Sequence, residues 1–318
     1  MTSQPFDSIP WTSETHGSTT LCHKQHVAYT PDANALQNLS IWISSTPAPP
    51  TSSIPQSSKP WIIYIHGGAW RDPDVDASSF SSTVSQLARH HSHTISEIGG
   101  IASINYSLTP RTHDPSDPEF SDDASRQAKH PDHIVDLLTA LSFLQTRAGF
   151  ASNYILLGHS CGATLAFQVA MNHSKWFDAT ASLIVAKPIA VIGLNGLYDM
   201  PALINSPGRK HEHLKAVYEL FTRLAFGDDE IVWQEISPIS VSDWKEEWAE
   251  GRKVVLVQSK EDSLVPYAQM ADLKLSLDRS KGEGLEVIEM VAVGDHNDLW
   301  LDGARLAEII AEVVRSLV

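Results

Sequence analysis

The segment 154–170 constrains the fold of this chain more than any other part of the sequence. An apolar run, Tyr-Ile-Leu-Leu, leads directly into Gly-His-Ser-Cys-Gly at 158–162, and the helix-forming run Ala-Thr-Leu-Ala-Phe-Gln-Val-Ala follows. A strand that passes into a helix over so tight a turn strains the backbone of its central residue, and the flanking glycines avoid side-chain clashes. The pattern therefore predicts that Ser160 stands free above the end of a strand, as a nucleophile requires.

A second glycine-rich turn follows the apolar run 61–65. It consists of His66, Gly67, Gly68, Ala69 and Trp70. A loop of this form after a strand presents backbone N–H groups to the negative charge that develops on a carbonyl oxygen under attack. The expected donors are the N–H groups of Gly68, Ala69 and Cys161, and one such donor is typically worth about 3–4 kcal/mol.

A serine nucleophile needs a base and an acid, which follow it in the order Asp or Glu, then His, when the serine lies in such a turn. Asp262 lies just beyond the apolar run 254–258, where parallel sheets place their sites. Glu261 is the rival, but an Asp followed three residues later by Val-Pro fits better. Of fifteen histidines, His296 alone lies in a turn after the final predicted strand, so it is the expected base. With these partners, Ser160 is interpreted as a nucleophile and not as the cap of an ordinary turn.

Composition limits the partners of the chain. Its 318 residues contain 23 Lys and Arg against 38 Asp and Glu, a formal net charge of −15. Phosphate groups would be repelled, so neither nucleic acid nor a membrane is an expected partner. The polar residues 1–16 predict neither a signal peptide nor a membrane anchor. The two cysteines are Cys22 and Cys161, and a disulfide at Cys161 would block the site, so a cytoplasmic location is expected.

Apolar runs alternate with amphipathic segments along the chain. This alternation predicts an α/β domain spanning 1–318, with a mostly parallel sheet covered by helices on both faces. Residues 1–20 are interpreted as irregular, 44–60 as a Pro/Ser-rich loop, and 198–251 as a helical cap insertion over a pocket. Strands are expected at 23–29, 39–43, 61–65, 101–105, 154–157, 189–194, 254–258 and 287–290, and helices at 79–90, 131–146, 163–170 and 301–317.

Together these motifs resemble the kynurenine formamidase (arylformamidase) family of the α/β-hydrolase superfamily, in particular its fungal branch. The His-Gly-Gly-x-Trp motif carries the resemblance, which extends from about residue 59 to the end and includes Asp262 and His296 in matching order. The hormone-sensitive-lipase-like esterases share the His-Gly-Gly loop. They commonly have Asp and Ala where this chain has His159 and Cys161, and their Asn-Tyr-Arg-Leu-Ala-Pro differs from the sequence at 105–110.

The resemblance implies hydrolysis of N-formyl-L-kynurenine to L-kynurenine and formate, in tryptophan degradation toward NAD. Ser160 would attack the formyl carbon with His296 as general base, and Asp262 would hold His296 in the correct tautomer. The aryl ring would need an apolar slot, to which Trp70 would contribute. No metal or organic cofactor is required.

Three alternatives stay open at this point: a carboxylesterase for short acyl esters, an amidase or peptidase on the same triad, and a non-catalytic small-molecule receptor. A homodimer is also left open. His90, His91 and His93 are expected at a helix end, where cationic side chains complement the dipole, and His211 and His213 are expected on the surface of the insertion. No ligand set for a metal is evident in the sequence.

Overall fold

The computed structural model describes residues 3–45, 53–176 and 183–318. Its strands are β1 (Thr12–His16), β2 (Thr19–Ala28), β3 (Asn38–Ser44), β4 (Trp61–Ile65), β5 (Gly100–Ile104), β6 (Tyr154–His159), β7 (Ala190–Leu194), β8 (Lys253–Ser259) and β9 (Glu286–Ala292). They form one sheet in the order β1-β2-β3-β5-β4-β6-β7-β8-β9. The pairs from β1 to β5 are antiparallel, and every pair from β5 through β4 to β9 is parallel.

Helices cover both faces of this sheet. They are α1 (Ser81–His90), α2 (Ser92–Glu97), α3 (Asp132–Ala148), α4 (Cys161–Ala170), α5 (Met200–Asn205), α6 (Lys215–Phe226), α7 (Glu230–Glu235), α8 (Trp244–Glu247), α9 (Tyr267–Ser280), α10 (Asp298–Leu301) and α11 (Ala304–Leu317). Successive strand residues point to opposite faces, so Ile62 and Tyr64 pack with α1 and α11. Ile63 and Ile65 pack with α3 and α4 on the other face. The predicted fold class is confirmed.

Some elements differ from the sequence prediction. Residues 12–16 form an exposed edge strand, although their polar sequence is interpreted above as irregular; pairing with β2 supplies the order that the pattern lacks. The helices α2 and α9 are not predicted. The expected helix 301–317 corresponds to α11, which begins at Ala304, and its first residue, Leu301, ends the separate short helix α10. The predicted loop 44–60 lies partly outside the described residues. Its described part from 53 to 60 has no helix or strand, yet Ile54 is buried in the core.

The chain between β7 and β8 contains the four helices α5 to α8. Their apolar side chains join the core on the face of α3, α4 and α9. Within the described ranges, no helix is both long and apolar enough to cross a membrane.

Candidate active site

The turn around Ser160 has the strained geometry that its sequence predicts. β6 ends one residue before Ser160 and α4 begins one residue after it, and Ser160 has φ 55° and ψ −123°. A Cβ atom added at Gly158 would clash with the carbonyl of Gly162, and one added at Gly162 would clash with the carbonyl of Ile65. The two glycines are therefore required by close backbone contacts, and the turn brings Ser160 to the carboxyl edge of the sheet.

Asp262 and His296 are hydrogen-bonded at the same edge. The Nδ1 atom of His296 lies 2.8 Å from Oδ2 of Asp262, and both side chains are buried. The other carboxylate oxygen of Asp262 accepts the backbone N–H groups of Leu264 and Val265, each at 2.8 Å. Gln258 donates from Nε2 to Oδ2 of Asp262 at 3.1 Å. Hydrogen bonds therefore fix both oxygens of the Asp262 carboxylate, and one of these bonds joins Asp262 to the imidazole ring of His296.

Glu261 has a different place. Its Oε2 atom accepts the backbone N–H of Gly294 at 2.6 Å, which fastens the loop between β9 and His296 to the loop after β8. Of the two acidic residues that the sequence leaves in competition, Asp262 is the one in contact with His296.

Two residues that the sequence analysis leaves without a role hold the backbone of His296. Its carbonyl oxygen accepts a hydrogen bond from Nε2 of His159 at 2.9 Å and another from Nδ2 of Asn195 at 2.8 Å. Burial, then the neighbouring His296, holds the pKa of His159 well below its usual range, so this ring is neutral. Asn195 directly follows β7. The position of Asn195 at the carboxyl end of a predicted strand is the sequence signal that could have marked it as a site residue.

The loop 66–70 lies against the serine turn because β4 and β6 are neighbours, with Ile65 opposite Gly158. Gly68 has φ 95°, Ala69 has φ 48° and Trp70 has φ 60°. These three consecutive left-handed residues reverse the chain, so that the N–H groups of the next two residues donate to the carbonyl of Gly68 at 2.9 and 2.8 Å.

The Cys161 thiol fastens this loop to the serine turn. It accepts the N–H of Trp70 at 3.3 Å and contacts Oη of Tyr106 at 3.6 Å. Burial raises the pKa of the Cys161 thiol to about 11. The thiol is therefore a neutral packing group, and it is the backbone of Cys161 that remains the expected donor to an oxyanion.

His66 is a structural member of the motif. Its ring stacks on Tyr106 with centroids 4.4 Å apart, and its Nδ1 atom lies 2.9 Å from the carbonyl oxygen of Gly67. A carbonyl oxygen only accepts, so Nδ1 carries the proton. Burial lowers the pKa of His66 to about 4, which keeps the ring neutral.

Ser160 and His296 line one pocket of about 360 Å³. That volume is in the range of sites for small molecules. Gly68 and Ala69 form part of its floor. Its apolar wall consists of Val75, Leu197, Leu214, Val217, Tyr218, Phe221, Leu264 and Val265. The polar rim consists of Arg71, Asp72, Arg111, Glu119 and Asn297.

Residues 51–277 of the chain match the BD-FAE family model. The chain is 36% identical to the kynurenine formamidase-like hydrolase fscH of Fusarium equiseti, over 93% of this chain and 96% of the relative. It is 34% identical to the kynurenine formamidase avaC of Aspergillus versicolor, over 76% of this chain and 83% of the relative. The chain belongs to the kynurenine formamidase family.

Two solved structures with the same fold are esterases. A truncated carbohydrate esterase from gut microbiota superposes with a TM-score of 0.61 at 18% identity, covering 97% of this chain and 98% of the other. The esterase LipW from Mycobacterium marinum superposes with a TM-score of 0.59 at 15% identity, covering 94% and 82%. The kynurenine formamidase relatives show that the chain is a hydrolase, and the solved structures show that it has the α/β-hydrolase fold.

Trp70 of this formamidase-family chain does not line the pocket, and the prediction that it does is wrong. The Trp70 side chain is fully buried. Its ring lies 4.9 Å from that of Phe226 and 5.9 Å from that of Phe221, and Phe221 faces the pocket. The indole of Trp70 therefore packs in the core against α6, behind the Phe221 side chain that lines the pocket.

The insertion of this family member touches the loop of the proposed acid. His211 is buried, contrary to the surface position expected for it, and its Nε2 atom lies 3.0 Å from the carbonyl oxygen of Asp262. Lys210 donates from Nζ to the same oxygen at 2.7 Å. Hydrophobicity patterns gave no sign of these contacts, because they join side chains to a backbone oxygen about fifty residues away.

Within residues 3–45, 53–176 and 183–318, no group of three or more His, Cys, Asp or Glu side chains is arranged to hold a metal ion.

Proposed function

We propose that the chain is a serine hydrolase that converts N-formyl-L-kynurenine to L-kynurenine and formate. The observation that carries the proposal is the placement of His296, hydrogen-bonded to Asp262 at 2.8 Å, in the same pocket as Ser160. The names of the relatives supply the substrate, since two of them are called kynurenine formamidase or kynurenine formamidase-like hydrolase.

In the first half of the reaction Ser160 is acylated. The Nδ1 proton of His296 is held by Asp262, so Nε2 of His296 is free to take the proton of the Ser160 hydroxyl. The Ser160 oxygen attacks the formyl carbon, and the negative charge that develops on the formyl oxygen is stabilised by the N–H groups of Gly68, Ala69 and Cys161. The C–N bond then breaks, and His296 returns its proton to the departing aryl amine.

In the second half a water molecule replaces the amine. His296 takes a proton from that water as it attacks the formyl–Ser160 ester. The C–O bond to Ser160 then breaks, His296 returns the proton to the Ser160 oxygen, and formic acid leaves and ionises to formate. A formyl group occupies little space, so the remaining pocket volume serves the aryl part of the substrate. Its apolar wall, with Tyr218 and Phe221 from the cap, suits a flat ring.

The test is turnover of two substrates by the purified protein. N-formyl-L-kynurenine should be hydrolysed with a kcat/KM well above that for p-nitrophenyl acetate, with L-kynurenine and formate formed in equal amounts. Hydrolysis of p-nitrophenyl acetate without turnover of N-formyl-L-kynurenine would assign the chain to the carboxylesterases instead.

We further propose a reducing, cytoplasmic location. Both Cys22 and Cys161 are buried free thiols, as expected for a protein that needs no disulfide. The homodimer stays a prediction, which the mass in solution by light scattering would test.

A further inference from the structure

Arg71 occupies a position that the proposed reaction does not use. It directly follows the loop 66–70, which we call the oxyanion loop, and its N–H donates to the carbonyl of Gly68 at 2.9 Å. Its backbone is therefore fixed three residues from a proposed oxyanion donor, and its side chain lines the pocket that holds Ser160 and His296. A long cationic side chain thus lines the same pocket as the proposed reacting groups.

The acidic residues nearest to Arg71 are bound to another cation. Arg111 donates to Oδ1 of Asp72 at 2.8 Å and to Oε1 of Glu119 at 2.6 Å. In the part of the chain that the structure describes, the guanidinium of Arg71 has no hydrogen bond, ion pair or aromatic ring against it. Its side chain is nevertheless partly buried, and burial, then Arg111, lowers the pKa of Arg71 against the smaller attraction of Glu119 and Asp72.

A partly desolvated guanidinium without a hydrogen-bond or ion-pair partner is unfavourable in the free protein, because its five N–H donors have lost part of their water. A carboxylate is the group that best restores them, since its two oxygens match two parallel N–H donors. The chain as a whole has a formal net charge of −15 and would repel an anion. An anionic ligand therefore needs a local positive charge such as that of Arg71.

We propose that Arg71 binds the α-carboxylate of an amino-acid substrate whose aromatic ring lies against the apolar wall of the pocket. This inference rests on the proposed function for the identity of the substrate. N-formyl-L-kynurenine has both parts: a formylated aryl ring and an amino-acid arm that ends in a carboxylate. The ring packs on the side of Tyr218 and Phe221, and the carboxylate meets Arg71 at the polar rim. Arg71 is then the residue that separates this substrate from simple aryl formamides and esters.

Direct binding tests this assignment without requiring turnover. L-kynurenine and kynuramine, the same molecule without the carboxylate, are titrated calorimetrically into the wild-type protein and into Arg71→Gln. The wild type should bind L-kynurenine about 10- to 100-fold more tightly than kynuramine, the range expected for hydrogen bonds to a charged group. In Arg71→Gln this preference should vanish while the affinity for kynuramine stays the same.

Two further variants complete the experiment. Arg71→Lys keeps the charge and loses the paired donors, so it should keep part of the preference. Arg223→Gln removes a paired, exposed cation of α6 outside the pocket. This variant should keep the full preference for L-kynurenine over kynuramine. Equal binding of the two ligands by the wild type, no binding of L-kynurenine, or an unchanged preference in Arg71→Gln would overturn the assignment. A wild type that binds L-kynurenine through Arg71 but does not hydrolyse N-formyl-L-kynurenine would refute the proposed function and leave the carboxylate site standing.

Discussion

The Nε2 atom of His159 lies 2.9 Å from the backbone oxygen of His296. The residue immediately before the proposed nucleophile therefore holds the loop that carries the proposed base. A carbonyl oxygen only accepts, so Nε2 of His159 is protonated, and Nδ1 of this neutral ring has no hydrogen-bond partner among the described residues. His159 acts on the reaction through the position of His296 and is a positioning residue.

Replacement of His159 should disturb the geometry of the base more than substrate binding. We expect His159→Ala to lower kcat by about 10- to 100-fold, since small misplacements of a reacting group have effects of that size. KM should change little, and His159→Gln, which retains an N–H donor, should recover part of the loss. The control His213→Ala removes an exposed histidine between α5 and α6. A higher KM with an unchanged kcat would contradict the positioning role.

Substitution of the two neighbouring acids should give very different results. Asp262→Asn removes the charge that holds the tautomer of His296, and we expect kcat to fall by about 10⁴-fold. Glu261→Gln keeps an oxygen that can accept the N–H of Gly294, so its kcat should remain within a few-fold of the wild type. Steady-state rates of both variants on one substrate make the comparison, and the opposite order would move the acid to Glu261.

Most of the sheet could be predicted because its central strands are continuous apolar runs, and the strand ends then identified where Ser160, Asp262 and His296 lie. The edge strand β1 could not be predicted from the sequence, because its polar residues form a strand only by pairing with β2. The contact of His159 with the backbone of His296 could not be predicted, because the first x position of the Gly-x-Ser-x-Gly pattern carries no information about its partners. The wrong prediction for Trp70 has a similar origin: proximity in sequence to the oxyanion loop does not determine the direction of a side chain.

The pocket wall should be sensitive to Phe221 in a substrate-dependent way. Phe221 faces the pocket and Trp70 lies behind it. We expect Phe221→Leu to lower kcat/KM for N-formyl-L-kynurenine by about 3- to 10-fold through loss of an aromatic contact. The value for p-nitrophenyl acetate, whose small acyl group needs less of the wall, should change less. Trp70→Phe should affect both substrates equally, and a selective loss in Trp70→Phe would place its ring in the pocket after all.

Buried neutral histidines should make the protein sensitive to acid. Burial lowers the pKa of His133 to about 3 and that of His66 to about 4. The unfolded chain takes up protons near the ordinary histidine pKa of about 6.5, so the free energy of unfolding is greatest above that pH. It should fall as the pH drops from about 6.5 toward 4.

Urea unfolding at pH 7.5, 6.5, 5.5 and 5.0 measures this dependence. His133→Gln should show a slope smaller by about one proton over the acidic range, whatever its stability at neutral pH. The exposed His213→Ala should retain the wild-type slope. A free energy of unfolding that is constant from pH 7.5 to 5.0 would contradict the neutral burial of these rings.

The central claim is that Ser160 is the nucleophile in the hydrolysis of N-formyl-L-kynurenine. The direct measurement is kcat of Ser160→Ala on that substrate, with circular dichroism to confirm that the variant is folded. We expect a loss on the order of 10⁶-fold, since removal of the serine of such a triad elsewhere has this effect. A folded Ser160→Ala protein that keeps a tenth of the wild-type rate would contradict the claim.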